Sequence, residues 1–200
     1  CHRDALGNRG FTGKFAGPAQ VVLAAFDSVE AAGAAVTATI ASGIVPAGLE
    51  LLDNPAIRAV EEFLQTGYPA DAAAILLCEV DGAAADVAAQ TEQVSSVFNA
   101  AGATRLQVSR DESERLLFWA GRKSAFPAMG RLSPDYYCMD GTIPRKHLAE
   151  VLNGIATLSQ EYGLPICNVF HAGDGNLHPL ILYDANTPGE LERTEELGGR

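Results

Sequence analysis

The chain is poor in positive charge and has no long hydrophobic run. Its 200 residues include 14 Lys and Arg against 25 Asp and Glu, so the net charge is -11 and the pI is near 4.7. Proteins that bind nucleic acid need a basic surface to displace counterions from phosphates, and this composition argues against that class. The longest apolar runs, such as 72-AAAILLC-78, are far shorter than the roughly 18 residues of a membrane-spanning helix.

Cysteine is scarce and widely spaced. The four thiols are Cys1, Cys78, Cys138 and Cys167. Because no CxxC spacing occurs, neither a zinc ribbon nor a redox pair is indicated, and we expect small buried thiols in a reducing cytoplasm. The chain also lacks a Gly-x-Ser-x-Gly elbow and a Cys-His arrangement that would support hydrolase chemistry.

The first half of the chain predicts an α+β fold. Residues 1–20 are Gly-rich and polar, which favours a linker or a non-native start. Strands are then predicted over 21–26, 47–53, 73–80 and 104–109, in the order β-α-β, a helical excursion, and β-α-β. This order is typical of the ferredoxin-like split βαβ, an antiparallel sheet with helices on one face.

The second half predicts an incomplete β-α-β-β unit. Asp111 is placed to cap a helix over 112–126, and a strand over 136–140 precedes a helix that begins at Pro144. We therefore expect one domain over 21–200 with sub-units of about 21–110 and 111–200. Since the chain begins with Cys and the second unit lacks its last elements, we expect a piece of a longer product.

The stretch 171-HAGDGNLHP-179 holds two of the four histidines. Asp-Gly is a strong signal for a two-residue hairpin turn. With this dipeptide at the tip, His171 faces His178 directly, and two such imidazoles can bind one metal ion. An ordinary hairpin with two polar residues on its wet face is the alternative. A third ligand would have to come from elsewhere, and Asp140 and Asp174 are candidates by residue type.

Arg122 is the candidate anion-binding residue. It lies beside aromatic residues in 118-FWAGRKSAFP-127, and its planar guanidinium matches a carboxylate. A solvated helix face is the alternative interpretation of adjacent basic residues. We expect His147 to lie on the surface and His2 to lie in the unstructured start.

Long segments of the chain resemble the C-terminal domain of FAD-linked oxidases. The resemblance covers about residues 20–200, and its motifs are long and contain rare residues. It is carried by 26-FDSVEAAG-33, 47-AGLELLDNPAIRA-59, 75-ILLCEVDG-82, 118-FWAGRKSAFPAMGRLSPDYYCMDGTIP-144 and 166-ICNVFHAGDGNLHPLILYDANTPGE-190.

The resemblance implies an FAD-dependent oxidation of a small D-2-hydroxy acid, such as glycolate or D-lactate, to a 2-oxo acid. It implies that His171 and His178 hold a divalent metal (zinc, manganese or iron) and that Arg122 grips the substrate carboxylate. Cys138, where relatives that act on hydroxy diacids tend to have lysine, favours a monocarboxylate. It also implies a cytoplasmic protein, with attachment to the inner face of the membrane through flavin and iron–sulfur partner subunits.

The resemblance further implies that parts of the catalytic machinery lie outside these 200 residues. FAD would be bound mainly by a preceding domain, and the third metal ligand and general base would follow residue 200. No catalytic residue is therefore expected within the chain, and the chain alone is expected to be inactive. Two other classes stay open: a non-catalytic module that binds a small ligand or a metal, and a structural subunit that docks on an iron–sulfur partner.

Overall fold

The structure is a computed structural model that describes residues 18–200. The Gly-rich start, including Cys1 and His2, lies outside the described residues. Nine strands and seven α-helices follow. The strands are β1 (Ala19–Phe26), β2 (Gly48–Asp53), β3 (Ala74–Asp81), β4 (Arg105–Val108), β5 (Asp135–Cys138), β6 (Gly141–Thr142), β7 (Ile166–Phe170), β8 (Asn176–Leu177) and β9 (Pro179–Tyr183). The helices are α1 (Val29–Ala41), α2 (Asn54–Leu64), α3 (Ala84–Ala100), α4 (Glu112–Lys123), α5 (Ala125–Met129), α6 (Leu148–Tyr162) and α7 (Glu190–Gly198).

Seven strands form one antiparallel sheet in the order β4-β1-β3-β2-β7-β9-β5. The first four reproduce the strand order of the predicted split βαβ, with α1 and α3 as its crossover helices. β3 lies inside the sheet, and its sequence AILLCEVD is buried at all but the last residue. The predicted antiparallel α+β fold is therefore confirmed.

Helices cover both faces of the sheet. Odd-numbered residues of β1, such as Leu23, belong to a core cluster with α2, α4 and α5. Even-numbered residues, such as Val22, pack with α1, α3 and α6. The prediction that helices lie on one face of the sheet holds for the crossover helices α1 and α3. It is wrong for the whole sheet, because α2, α4 and α5 cover the other face. β3 is buried on both sides, so its second face needs an apolar cover, which the helical excursion and the helix after Asp111 provide.

The second unit extends the sheet of the first. β7, β9 and β5 continue it beyond β2, but β2 and β7 pair only at Leu51–Phe170 and Leu52–Val169. A side-chain bond reinforces this short seam, because Asn168 Nδ2 donates to Asp53 Oδ2 at 2.6 Å. The same carboxylate accepts from the backbone nitrogen of Ala56 at 3.1 Å and so caps α2.

Cys78 and Cys167 are buried, as expected, but Cys138 is exposed. The expectation of a buried Cys138 was wrong because β5 is the edge strand of the sheet and presents three exposed residues in a row. Within residues 18–200, no helix is long and apolar enough to cross a membrane.

The buried Asp53 carboxyl should make the free energy of unfolding depend on pH. Burial raises its pKa from 3.8 to about 6, although its hydrogen bonds oppose the shift. The folded state therefore binds the proton more tightly than the unfolded state, and stability falls as pH rises between these values. Two pKa units correspond to about 2–3 kcal/mol. In Asp53→Asn, the free energy of unfolding measured by urea denaturation should no longer fall between pH 3.8 and about pH 6.

Asp111→Asn is the matched control, because Asp111 caps α4 in the same way but its pKa is lowered. Removal of the Asp111 carboxylate should leave the shape of the pH profile nearly unchanged above about pH 5. Parallel profiles for wild type and Asp53→Asn would show that Asp53 titrates normally in the fold.

Candidate active site

α4 carries two arginines onto the sheet. Asp111 caps the helix as predicted, since its Oδ1 accepts from the backbone nitrogen of Glu114 at 2.9 Å. Arg115, Trp119 and Arg122 follow at spacings of four and three residues, so they share one helical face. That face packs on the sheet, and Arg122 is only 7% exposed. The alternative of a solvated helix face is therefore wrong for Arg122.

Arg122 meets a buried carboxylate on β2. Its Nε donates to Glu50 Oε2 at 2.8 Å, and both side chains are nearly inaccessible to solvent. Its Nη2 is also buried but has no hydrogen-bond partner among the described residues. A buried, charged donor without a partner is costly, so this nitrogen marks a place where an anion would be stabilised.

The hairpin that bears the histidines differs from the predicted one. The backbones of His171 and Asn176 exchange hydrogen bonds of 2.9 and 3.2 Å, so His171 faces Asn176 across a four-residue turn. The predicted Asp174–Gly175 tip with His171 opposite His178 is therefore wrong by two residues. Side chains alternate faces along a strand, so a shift of two keeps both histidines on the same face.

Gly175 explains the wider turn. Its φ of 70° lies in the left-handed region, and a Cβ at this position would lie 2.2 Å from the carbonyl oxygen of Ile143. The Ile143 nitrogen donates to the Gly175 carbonyl oxygen at 2.9 Å. The turn is therefore shaped by contact with the segment after β6 as well as by its own Asp-Gly dipeptide.

The two imidazoles lie side by side. Their ring centroids are 5.3 Å apart and their planes are nearly perpendicular. His171 Nδ1 lies 2.9 Å from Glu50 Oε1, so the same carboxylate contacts Arg122 and His171. The His171 side chain is 44% exposed, whereas that of His178 is 16% exposed. One ring is therefore open to solvent and the other is mostly covered.

Burial lowers the pKa of His178 below its usual 6.5, and the positive charges of His171 and Arg122 lower it further. Asp140 opposes the shift, because its Oδ1 lies 3.7 Å from His178 Nδ1. A hydrogen bond with the backbone of Met139 also opposes it. His178 is therefore neutral at physiological pH, the form in which imidazole binds metal ions.

Two aromatic rings border the histidines. Phe126 makes edge-to-face contacts with His178 at 6.3 Å and with Tyr136 at 6.4 Å. Phe126 belongs to α5 and Tyr136 to the edge strand β5. The polar groups of the site thus have an apolar wall on the side of the sheet edge.

The two candidate third ligands differ in position. Asp140 lies near His178, whereas Asp174 lines a cavity of about 440 Å³ with Arg145 and residues of α1. α1 covers the face opposite α4 and α5, so this cavity is separate from the histidine pair. Residues 18–200 contain no cluster of three His, Cys, Asp or Glu side chains that could hold a metal ion. His147 is exposed and lies 2.9 Å from Glu150, as expected of a surface residue.

Sequence reasoning missed two residues of the site. Glu50 is the one carboxylate within the apolar run 49-LELL-52, and a charged residue in a buried strand requires a partner. This signal was available in the sequence. Asn176, which faces His171, has a buried Oδ1 without a hydrogen-bond partner in the described chain. Its place depends on the turn register, so no sequence signal identified it.

A family model described as "FAD linked oxidases, C-terminal domain" matches residues 18–200. The chain belongs to this family. It is 63% identical to the glycolate oxidase subunit GlcD of Escherichia coli K12 over 91% of the chain and 36% of the relative. It is 34% identical to the subunit of the same name in Bacillus subtilis, over 88% of the chain and 38% of the relative. The chain thus spans little more than a third of those relatives.

Solved structures support the fold of this FAD-linked oxidase domain. p-Cresol methylhydroxylase with substrate bound matches with a TM-score of 0.71 at 14% identity, over 91% of this chain and 42% of that chain. 4-Ethylphenol oxidase from Gulosibacter chungangensis matches with a TM-score of 0.67 at 15% identity, over 90% and 42%. At such low identity these likenesses establish the shared fold alone.

The His178–Asp140 contact predicts how His178 titrates. The Asp140 carboxylate stabilises the charged imidazole, so Asp140→Asn should lower the pKa of His178 further below 6.5. An NMR titration of the histidine ring protons measures this shift. Glu150→Gln is the control, since it removes the carboxylate beside His147 and should leave His178 unchanged. A His178 pKa at or above 6.5 in the wild type would contradict the site geometry.

Proposed function

We propose that this chain supplies the substrate-binding side of an FAD-dependent enzyme that oxidises a small D-2-hydroxy acid to a 2-oxo acid. The observation that carries the proposal is the buried Nη2 of Arg122, which has no partner in the described residues. The Nε of the same guanidinium donates to Glu50, and Glu50 also contacts His171. The names of the relatives add support, since glycolate oxidase subunits and a mitochondrial D-lactate dehydrogenase of Arabidopsis thaliana are among them. Glycolate and D-lactate are the substrates we favour.

Arg122 binds the substrate carboxylate in this proposal. The carboxylate of a hydroxy acid would accept a hydrogen bond from Nη2 and give the buried cation a second counter-charge. Because Nε is already held by Glu50, the guanidinium plane is fixed before the substrate arrives. A fixed donor loses little conformational entropy on binding, so it orients the substrate efficiently.

His171 and His178 are proposed to hold a divalent cation beside the substrate hydroxyl. Two imidazoles on one tetrahedral ion, with bonds of about 2.1 Å, place their ring centroids roughly 5 Å apart, close to the 5.3 Å of this pair. The donor set suits zinc, manganese or iron, and the cation requires further ligands from outside the described residues. When bound, it supplies Lewis-acid chemistry that lowers the pKa of the substrate hydroxyl.

Bound FAD supplies the two-electron acceptor for the reaction, and none of the residues described above is assigned to hold it. The residues of this chain bind the carboxylate, orient the hydroxyl and border the reacting carbon. Phe126 and Tyr136 border one side of the site with apolar surface. Exposed Cys138 places no positive charge at the neighbouring sheet edge, which favours a monocarboxylate.

The assembly is also a proposal. The relatives are named as subunits, and we propose that the protein works with partner subunits, including an iron–sulfur protein that takes electrons from the flavin. A cytoplasmic enzyme that reaches the membrane through those partners fits this arrangement.

Arg122→Lys tests the carboxylate contact. The lysine keeps a positive charge near Glu50 but loses the planar fork, so KM for glycolate should rise at least tenfold, or about 1.4 kcal/mol of binding free energy. Steady-state kinetics of the native flavoprotein with a dye acceptor measures this.

Arg115→Lys is the matched control. Arg115 lies on the same face of α4 and pairs with the buried carboxylate of Glu79 at 2.6 Å. This variant should lower the melting temperature while KM stays within twofold of wild type. Equal KM values in wild type and Arg122→Lys would contradict the proposed role of Arg122, and no reduction of the flavin by any small D-2-hydroxy acid would contradict the proposed reaction.

Removal of the imidazoles tests the cation. His171→Ala and His178→Ala should each weaken the binding of Zn²⁺ or Mn²⁺ at least tenfold in a calorimetric titration, because each removes one ligand. Binding in the wild type should also weaken as pH falls, since protons compete for the ring nitrogens. His147→Ala, which removes an exposed histidine, is the control. Equal affinity in all variants would remove the metal from the proposal.

A further inference from the structure

Glu50 is a buried carboxylate with two partners of different function. Oε2 accepts from Arg122 Nε at 2.8 Å, and Oε1 lies 2.9 Å from His171 Nδ1. Its side chain is 7% exposed, so bulk water has little access to either oxygen. The carboxylate therefore spans the space between α4 and the hairpin after β7 with one oxygen for each element.

The contact with His171 selects one form of the ring. A carboxylate can only accept a hydrogen bond, so the neutral imidazole beside it carries its proton on Nδ1. The lone pair is then on Nε2, the nitrogen on the far side of the ring from Glu50. Carboxylates of this kind orient metal-binding histidines in many proteins and raise the basicity of the free nitrogen.

The contact with Arg122 selects an orientation of the guanidinium. Because Nε is held, the plane of the group is fixed, and Nη2 stays buried without a protein partner. One carboxylate thus sets the proton position of His171 and the direction of the Arg122 fork together.

We propose that Glu50 is a positioning residue that fixes the Nδ1–H tautomer of His171 and the guanidinium orientation of Arg122 through a single carboxylate. This inference rests on the proposed function for its purpose. In that function, Glu50 holds the cation-binding Nε2 of His171 and the carboxylate-binding Nη2 of Arg122 in fixed positions relative to each other. Glu50 itself touches neither substrate nor cofactor in this scheme.

A second buried pair on the same helix provides a comparison. Glu79 on β3 is 1% exposed and accepts from Arg115 and from Trp119 Nε1. Arg115 precedes Arg122 by two helical turns, so the two ion pairs join the same helix face to adjacent strands. Glu79 contacts no histidine in the described residues. A purely structural ion pair is thus present as an internal control.

The test is the tautomer of His171, read from nitrogen chemical shifts of the native protein labelled with ¹⁵N-histidine, at a pH where the ring is neutral. We expect the wild type to hold the Nδ1–H form alone. In Glu50→Gln, the amide can donate to Nδ1, so His171 should shift to the Nε2–H form or to a mixture. Glu79→Gln should leave the tautomer unchanged while lowering the melting temperature.

Zn²⁺ alone is the second probe. Loss of the carboxylate should weaken its binding to Glu50→Gln by 10- to 100-fold, the usual effect of removing a carboxylate behind a histidine ligand. The same variant should raise KM for glycolate, since a neutral amide oxygen holds the Nε of Arg122 more weakly than a carboxylate does, and Glu79→Gln should change neither quantity more than twofold.

Three results would overturn the inference: a wild-type His171 in the Nε2–H form, an unchanged tautomer in Glu50→Gln, or an equal change in Glu79→Gln. The wild-type spectrum decides even where a variant does not fold. These outcomes are independent of catalysis, because a protein that oxidises no hydroxy acid and binds no metal can still show whether Glu50 sets the tautomer.

Discussion

The buried carboxylate of Glu50 is the interaction on which the site depends. Taking a carboxylate out of water costs several kcal/mol, and the cost is offset only when charged or hydrogen-bonding partners surround it. Arg122 and His171 provide those partners. If Arg122 were displaced, the buried charge of Glu50 would be left uncompensated at about 3–5 kcal/mol, and loss of His171 would leave one buried oxygen without its hydrogen bond. α4, β2 and the turn after β7 therefore have to keep their relative positions.

The fold maintains those positions across a narrow seam. β2 and β7 pair at only two positions, so the backbone ladder alone joins the halves weakly. Asp53 and Asn168 add a side-chain bond at one end of the seam. At the other end, Gly173 donates its backbone N–H to the carbonyl oxygen of Leu49 at 3.0 Å. Glu50 lies between these two ties, which explains how a two-residue pairing holds a site to within hydrogen-bond distances.

Much of the fold follows from local sequence. The strands of the first unit alternate with helices, of which α1 and α2 begin at side-chain caps, so their order predicted the antiparallel sheet. The helical cover of the second face did not follow, because a single strand sequence does not say which helix packs on which side. The exposed Cys138 escaped prediction for a related reason, since the edge position of β5 is a property of the whole sheet.

The candidate site was predictable in its histidines and in Arg122, but not in its geometry. The spacing of His171 and His178 indicated a shared face, and the shift of two residues in the turn preserved that face. The shift itself arises from contact between Gly175 and Ile143, which are distant in sequence. Glu50 stood out as a charge within an apolar strand, but its two partners come from segments about 70 and 120 residues away.

The central claim is that Arg122 and the histidine pair meet one substrate. A crystal structure of the native flavoprotein with a non-oxidisable analogue of glycolate tests it most directly. The account predicts the analogue carboxylate about 3 Å from Arg122 Nη2, with the rest of the analogue between the imidazoles and the Phe126–Tyr136 wall. An analogue bound instead in the cavity beside Arg145 and Asp174, with Arg122 Nη2 facing only protein, would contradict it.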